Sequence, residues 1–199
     1  MPRISPAEFS GLALRANTLL AGVPLHDVWA VDLPPPREGV TLADLLRRAR
    51  GDALGGAAGT SGMLSSAARA LLRLRFFLGR IFRLDAESDD AGATSFAARL
   101  TAEDRARSSV PAGTRDGHFR VVYRFENEQL VELRNKTVHA AALSALAQTP
   151  DGYRYYFAIY VEAVGWTTPL YMAAIDPFRR WIIYPALLRN VRAAWLRNV

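Results

Sequence analysis

The sequence of 199 residues has no cysteine, only three histidines and a single lysine. The absence of cysteine excludes disulfides, thiolate zinc sites, iron–sulfur clusters and cysteine nucleophiles. The histidines (His26, His118 and His139) lie far apart in the sequence and do not predict a metal site. Lys136 is the only lysine, so any reaction that needs a lysine amine would have to use it. We therefore expect a protein that uses no metal and no other cofactor.

Long apolar runs are also missing. No segment has the roughly 20 consecutive apolar residues that a membrane-spanning helix needs. Glu8 and Arg15 interrupt the first segment, so it does not resemble a secretory leader. We expect a cytoplasmic protein with no stable membrane insertion.

Acidic residues are absent from two segments, 63–84 and 177–199, and each of these segments carries five arginines. The net charge of +6 raises the possibility of a nucleic-acid partner. No nucleic-acid-binding motif is present, however, and solvated faces of two helices account for the charge. We therefore expect no nucleic-acid partner. The basic helix predicted at 64–84 leaves two alternatives open, a membrane-surface or partner-binding helix and a lid over a pocket.

The remaining composition, 50% hydrophobic and 22% charged, fits one compact domain over residues 1–199. Residues 1–24 form a helical extension, predicted as one helix that begins at a capping box of Ser5 and Glu8 and ends at Gly22 and Pro24. Alternating or helical spacing of apolar residues predicts the other elements. These are helices at 41–50, 64–84, 95–107 (with Thr101 and Asp104 as a cap) and 176–196, and strands at 27–33, 118–126, 129–142 and 153–164.

This order predicts an α+β fold in which a curved antiparallel sheet wraps around the long C-terminal helix. Asp176 and Pro177 are typical of an N-cap and first helical position, and Pro185 predicts a kink. The apolar stripe of the helix must be buried, and the concave face of the sheet is the available partner. We expect charged residues inside strands, namely Glu132, Arg134 and Glu162, to point to a solvated face.

The C-terminal part of the sequence resembles a known family. The residues that carry the resemblance are 164–179 (VGWTTPLYMAAIDPFR), 181–188 (WIIYPALL) and 131–138 (VELRNKTV). They are similar to a bacterial domain-of-unknown-function family of the START-like, polyketide-cyclase-like (SRPBCC) superfamily. The resemblance implies a helix-grip fold with an apolar cavity, and a strand that carries Tyr171 before the last helix. Arg179 and Asn135 stand where that family often has histidine and aspartate.

An apolar cavity indicates a small-molecule partner, which we expect to be polyketide- or lipid-like. Tyrosine supplies both an apolar ring and one hydroxyl, which suits a ligand pocket. The expected ligand-binding residues are Trp29, Phe77, Tyr123, Tyr155, Phe157, Trp166, Tyr171, Trp181 and Tyr184. On the strand at 153–164, the face of Tyr155 and Phe157 is the more apolar, so we expect it to be the interior.

We favour the enzymatic form of this hypothesis, in which the protein is a cofactor-independent cyclase or isomerase of natural-product biosynthesis. Such an enzyme holds a flexible substrate in a reactive conformation while hydroxyls polarise a carbonyl. The candidate catalytic residues are Tyr123, Glu132, His139 and Tyr171. The alternative is a non-catalytic carrier or sensor that uses the same cavity, and a homodimer stays open.

Overall fold

The computed structural model describes residues 4–36, 40–49, 94–117, 119–134, 138–165 and 167–197. The predicted helix at 64–84, including Phe77, lies outside the described residues, as does Trp166. The architecture below is that of the described part of the chain.

The centre of the fold is a six-stranded, entirely antiparallel and curved sheet with the order β1-β6-β5-β4-β3-β2. The strands are β1 (Leu25–Leu33), β2 (Arg115–Asp116), β3 (Phe119–Arg124), β4 (Glu128–Arg134), β5 (Val138–Thr149) and β6 (Gly152–Ala163). The longest pair, β5 and β6, forms a hairpin in which Thr149 pairs with Gly152. The turn predicted at Pro150 and Asp151 closes this hairpin.

Short helices precede the sheet and a longer helical arm follows it. The helices are α1 (Pro6–Ser10), α2 (Arg15–Leu19), α3 (42–49), a 3-10 helix (Phe96–Arg99), α4 (Ala102–Arg107), α5 (Thr167–Phe178), a π-helical turn (Arg179–Ile183) and α6 (Tyr184–Leu196). The caps predicted at Ser5 and at Thr101 with Asp104 are confirmed, since each hydroxyl accepts a backbone N–H three residues on. Among the described helices, none is long and apolar enough to cross a membrane.

The N-terminal helix is shorter than its apolar spacing predicts. The chain leaves α1 at Gly11, whose N–H donates to the Ala7 carbonyl, and then begins the separate helix α2. Because Leu14 has no capping side chain, the first N–H groups of α2 are satisfied from the sheet by Glu128. The prediction of one continuous helix in this extension is therefore wrong.

The C-terminal arm begins earlier than predicted. The segment with Tyr171, expected as a strand, is part of α5, and Asp176 and Pro177 lie inside this helix rather than at its start. The Thr168 hydroxyl accepts the Val164 and Gly165 N–H groups where β6 ends, which allows the helix to begin there. Pro185, where we expected a kink inside one helix, is the second residue of α6 and follows the π-helical turn.

Helices pack on both faces of the sheet, so the expectation of a solvated face is wrong for Glu132, while Arg134 and Glu162 remain partly exposed. The inner face, with Val31 and Tyr155, packs against α3 and α6, and Ile159 packs near α5. The outer face, which includes Tyr156 and Ala158, packs against α1, α2 and the 3-10 helix. Glu132, expected to point to solvent, is 4% exposed on this outer face.

Candidate functional site

The two faces of the sheet differ in how completely their apolar side chains are buried. On β5, the outer-face residues Ala141, Leu143 and Ala145 are all 0% exposed. The inner-face residues that alternate with them, namely Ala140, Ala142 and Ser144, stay partly exposed under the helical arm. The centre of the inner face is therefore an accessible apolar surface, called here the inner groove.

Three aromatic side chains meet at the inner groove. Trp29 on β1 lies directly opposite Phe157 on β6, and both remain partly exposed. Tyr184, the first residue of α6, packs on both, with ring centroids 5.9 Å from Trp29 and 5.4 Å from Phe157. The start of α6 therefore covers part of the apolar sheet surface in the groove.

Two polar atoms of this cluster are buried without a hydrogen-bond partner among the described residues, the Tyr184 hydroxyl and the Trp29 indole N–H. A buried donor without a partner costs about 1–3 kcal/mol. Burial is the main cause that raises the pKa of Tyr184 above its usual value, so the hydroxyl keeps its proton at neutral pH. The groove thus holds a neutral hydroxyl donor that is ready for a ligand acceptor.

A second hydroxyl pair lies on the same face. Tyr155 and Ser144 are joined by a hydrogen bond of 2.9 Å between their hydroxyl oxygens. Burial raises the pKa of Tyr155 to about 12, so this tyrosine is also neutral at physiological pH. Tyr155 itself is fully buried, and Ser144 is the member of the pair that reaches the partly exposed surface.

A cluster of charged residues lies beside the groove, where β1 begins. The Asp27 side chain, 0% exposed, lies 3.2 Å from Arg180 Nε, and Asp176 accepts a 2.6 Å hydrogen bond from Arg179. His26 Nε2 lies 2.9 Å from Asp176 Oδ1. Burial alone would raise the pKa of Asp176, but the hydrogen bond with His26 and the nearby arginines hold it below the usual value. The Arg179 guanidinium also lies 5.8 Å from the Tyr184 ring centroid.

The carboxylates and histidine of this cluster have the chemistry of metal ligands. One ligand atom each of His26, Asp27 and Asp176 fall within 4.8 Å of one another. However, Arg179 and Arg180 already pair with the two carboxylates. A cation at this position would have to displace two guanidinium groups, so the arrangement favours an ion-pair network.

Tyr123, expected both as a ligand-binding and as a catalytic residue, lies on the outer face. Its hydroxyl donates to Glu128, which also accepts the backbone N–H groups of Arg15 at 2.9 Å and Ala16 at 2.8 Å. Tyr123 is 0% exposed and is separated by the sheet from the inner groove. In this arrangement it joins the sheet to α2.

The catalytic candidates Glu132 and His139 also lie on the outer face, where they form a triad with Glu162. His139 Nε2 is 3.0 Å from Glu132, and His139 Nδ1 is 3.0 Å from Glu162. The His139 ring is fully buried and stacks on Phe96 with a centroid distance of 3.8 Å. The triad thus connects β4, β5 and β6 to the 3-10 helix and does not reach the inner groove.

The remaining candidates are distributed as follows. Trp29, Tyr155, Phe157 and Tyr184 come together on the inner face, while Trp181 exposes 80% of its surface to solvent and does not line the groove. Tyr171 lies in α5, and its side chain is outside the described part of the structure. Ala140, Ala142 and Ser144 were not among the residues predicted from the sequence. Their small side chains at every second position of β5 are the signal that indicates a sheet surface without bulky groups.

Comparison with known proteins identifies a family for this chain. Residues 19–186 match the family described as protein of unknown function DUF2867. The chain belongs to this family. The matched region covers all six strands, α5 and the first turn of α6, and therefore the whole inner groove. It begins at the last residue of α2, so the helices that cover the outer face lie largely before it. No curated protein and no solved structure matches the chain.

Proposed function

We propose that the protein binds one apolar small molecule, polyketide- or lipid-like, in the inner groove. The fold in this proposal is a helix grip of the START-like (SRPBCC) kind. The observation that carries the proposal is the difference between the two faces of one strand, fully buried outside and partly exposed inside. Protein interiors are normally close-packed, and an accessible apolar surface beneath helices is the usual form of a ligand site.

The polar atoms of the groove indicate what the ligand carries. The Tyr184 hydroxyl and the Trp29 N–H are donors that have no partner among the described residues, and they flank the same aromatic cluster. An acceptor on the ligand would recover the hydrogen bonds that these donors lack. We therefore propose a ligand with an apolar body and a carbonyl oxygen directed at Tyr184.

The enzymatic form of the proposal is a cofactor-independent cyclase or isomerase. The groove would hold the substrate in a reactive conformation, and the neutral Tyr184 hydroxyl would stabilise negative charge that develops on the carbonyl oxygen. Tyr184 is suited to this role because its hydroxyl is protonated at neutral pH and has no hydrogen-bond partner among the described residues.

A fluorescent ketone tests the binding step. Prodan is an apolar naphthyl ketone whose emission shifts to the blue in apolar surroundings. We expect the protein to bind prodan with a blue shift. Ala142→Phe fills the floor of the groove without removing a contact and should weaken binding at least tenfold. Ala98→Phe, at an exposed position of the 3-10 helix, is the matched control and should bind normally.

The hydroxyl is tested separately with Tyr184→Phe. Loss of one hydrogen bond of about 1 kcal/mol should weaken prodan binding by about fivefold while the blue shift persists. If prodan does not bind, or binds equally to the wild-type protein and Ala142→Phe, the groove is not the site. For the enzymatic form, Tyr184→Phe must lower kcat on a cyclisable polyketone by more than it weakens binding. An equal effect on both favours the carrier.

A further inference from the structure

The helical arm formed by α5, the π-helical turn and α6 leaves one long face open to solvent. Exposed residues along this face are three, four or eight positions apart in the sequence. This spacing places them on one side of a helix. They are Ala173, Pro177, Trp181, Arg189, Arg192 and Leu196. We call this set the arm face.

The arm face holds two of the four large hydrophobic side chains that the described structure exposes. Trp181 is 80% exposed and Leu196 46%, while the other two, Ile183 at 51% and Phe119 on β3 at 38%, lie elsewhere. Trp181 belongs to the π-helical turn. π-helical turns are often found at functional positions. Side chains of this size at such exposure indicate a contact surface.

The charge on the arm face has a single sign. No acidic residue follows Asp176 in the sequence. Arg179 and Arg180 turn inward to Asp27 and Asp176, but Arg189 and Arg192 are exposed and make no ion pair with a described residue. The surface therefore combines an exposed indole, one large aliphatic side chain and two guanidinium groups that have no ion-pair partner in the described part of the chain.

We propose that the arm face docks the protein on an anionic lipid bilayer. Tryptophan is enriched at the level of the lipid headgroups, and a helix with exposed apolar residues among arginines binds the interface of an anionic membrane. A second copy is the poorer occupant, because a twofold contact between two such faces would bring arginines against arginines. This proposal uses different residues from those of the inner groove and does not depend on a ligand there.

Sedimentation with vesicles tests the proposal on the intact protein. We expect it to sediment with vesicles of equimolar phosphatidylserine and phosphatidylcholine and to stay in solution with phosphatidylcholine alone. Arg189→Gln with Arg192→Gln should weaken the vesicle binding about 30-fold, the equivalent of about 1 kcal/mol for each charge. Trp181→Ser should weaken it about tenfold, because the indole leaves the apolar interface. Salt near 1 M should release most of the bound protein.

The matched control is Arg105→Gln with Arg107→Gln, which removes the same charge from α4, an element outside the arm. This control should bind the anionic vesicles as the wild-type protein does. Absence of binding to phosphatidylserine vesicles at low salt would overturn the proposal, and so would equal weakening in the control. Analytical ultracentrifugation provides a further outcome, since a dimer that Trp181→Ser dissociates would assign the arm face to self-association instead.

Discussion

Replacing Glu132 by glutamine tests the outer-face triad, because the substitution keeps the size of the side chain and removes its charge. Glu132 is 4% exposed. It accepts hydrogen bonds from the Ser95 hydroxyl at 2.5 Å, the Phe96 N–H at 3.0 Å and His139 Nε2 at 3.0 Å. Glutamine has one acceptor oxygen, so the donors at the other position would face an amide NH₂ group.

The expected cost follows from these contacts. Hydrogen bonds to a charged group contribute about 1.5–3 kcal/mol each, and removal of one partner of a buried pair typically costs about 3–5 kcal/mol. We predict that Glu132→Gln lowers the free energy of unfolding by about 3 kcal/mol at neutral pH. Glu162→Gln is the control, since its side chain is 41% exposed and the loss should be below about 1 kcal/mol.

The pH dependence gives the second part of this prediction. Burial alone would raise the pKa of Glu132, but the hydrogen bonds from His139, Ser95 and Phe96 outweigh burial and lower it. A carboxyl group whose pKa is lower in the folded state than its unfolded value of about 4.3 stabilises the fold above that value. This contribution is lost as the pH falls through the folded-state pKa.

Urea unfolding at a series of pH values measures both effects, and an unchanged m-value shows that the same surface unfolds. The difference between the wild-type protein and Glu132→Gln should persist above about pH 5 and shrink below about pH 4. A difference under about 1 kcal/mol at neutral pH would refute the assignment of Glu132 as a buried acceptor. A difference that does not shrink in acid would refute its charge.

Two further predictions concern stability. Gly152→Ala should destabilise the protein by more than about 2 kcal/mol, because φ is +141° and the new Cβ would lie 2.4 Å from the Leu33 carbonyl oxygen. Gly113→Ala is the control and should cost about 1 kcal/mol, because its φ is +86° but no atom lies near the new Cβ. Thermal unfolding checks both, and equal losses would contradict the close approach. Asp104→Asn should cost about 1.5 kcal/mol at pH 7, because the paired hydrogen bonds from Arg15 hold the pKa of Asp104 to about 2. This difference should vanish as the pH falls from about 4 towards 2, and a pH-independent loss would exclude the ionised pair.

The strands and local caps were predictable because their signals are local. Alternation of apolar residues located β1, β3 and β6, and the hydroxyls of Ser5 and Thr101 cap helices as their spacing predicts. The strand predicted at 129–142 is instead two strands, β4 and the first part of β5, which pair antiparallel. The later part of β5 was not predicted, since alanine is common there and favours no strand. Its place is determined by pairing with β6 along the whole strand and with β4 as far as Ala145.

The location of the charged residues was less predictable because it depends on contacts between distant segments. Glu132 and Glu162 alternate with apolar neighbours as residues of a solvated face do, but the N-terminal helices and the 3-10 helix cover that face. Similarly, Tyr123 and Tyr184 look equivalent in the sequence. The sheet places them on opposite sides, and only Tyr184 reaches the inner groove.

Native mass spectrometry of the intact protein with prodan tests the central claim, that the inner groove takes up one apolar carbonyl compound. We predict a one-to-one complex with the wild-type protein and with Ala98→Phe, and a much less abundant complex with Ala142→Phe, in line with binding that is at least tenfold weaker. Absence of a complex with the wild-type protein, or a complex of equal abundance with Ala142→Phe, would contradict the claim.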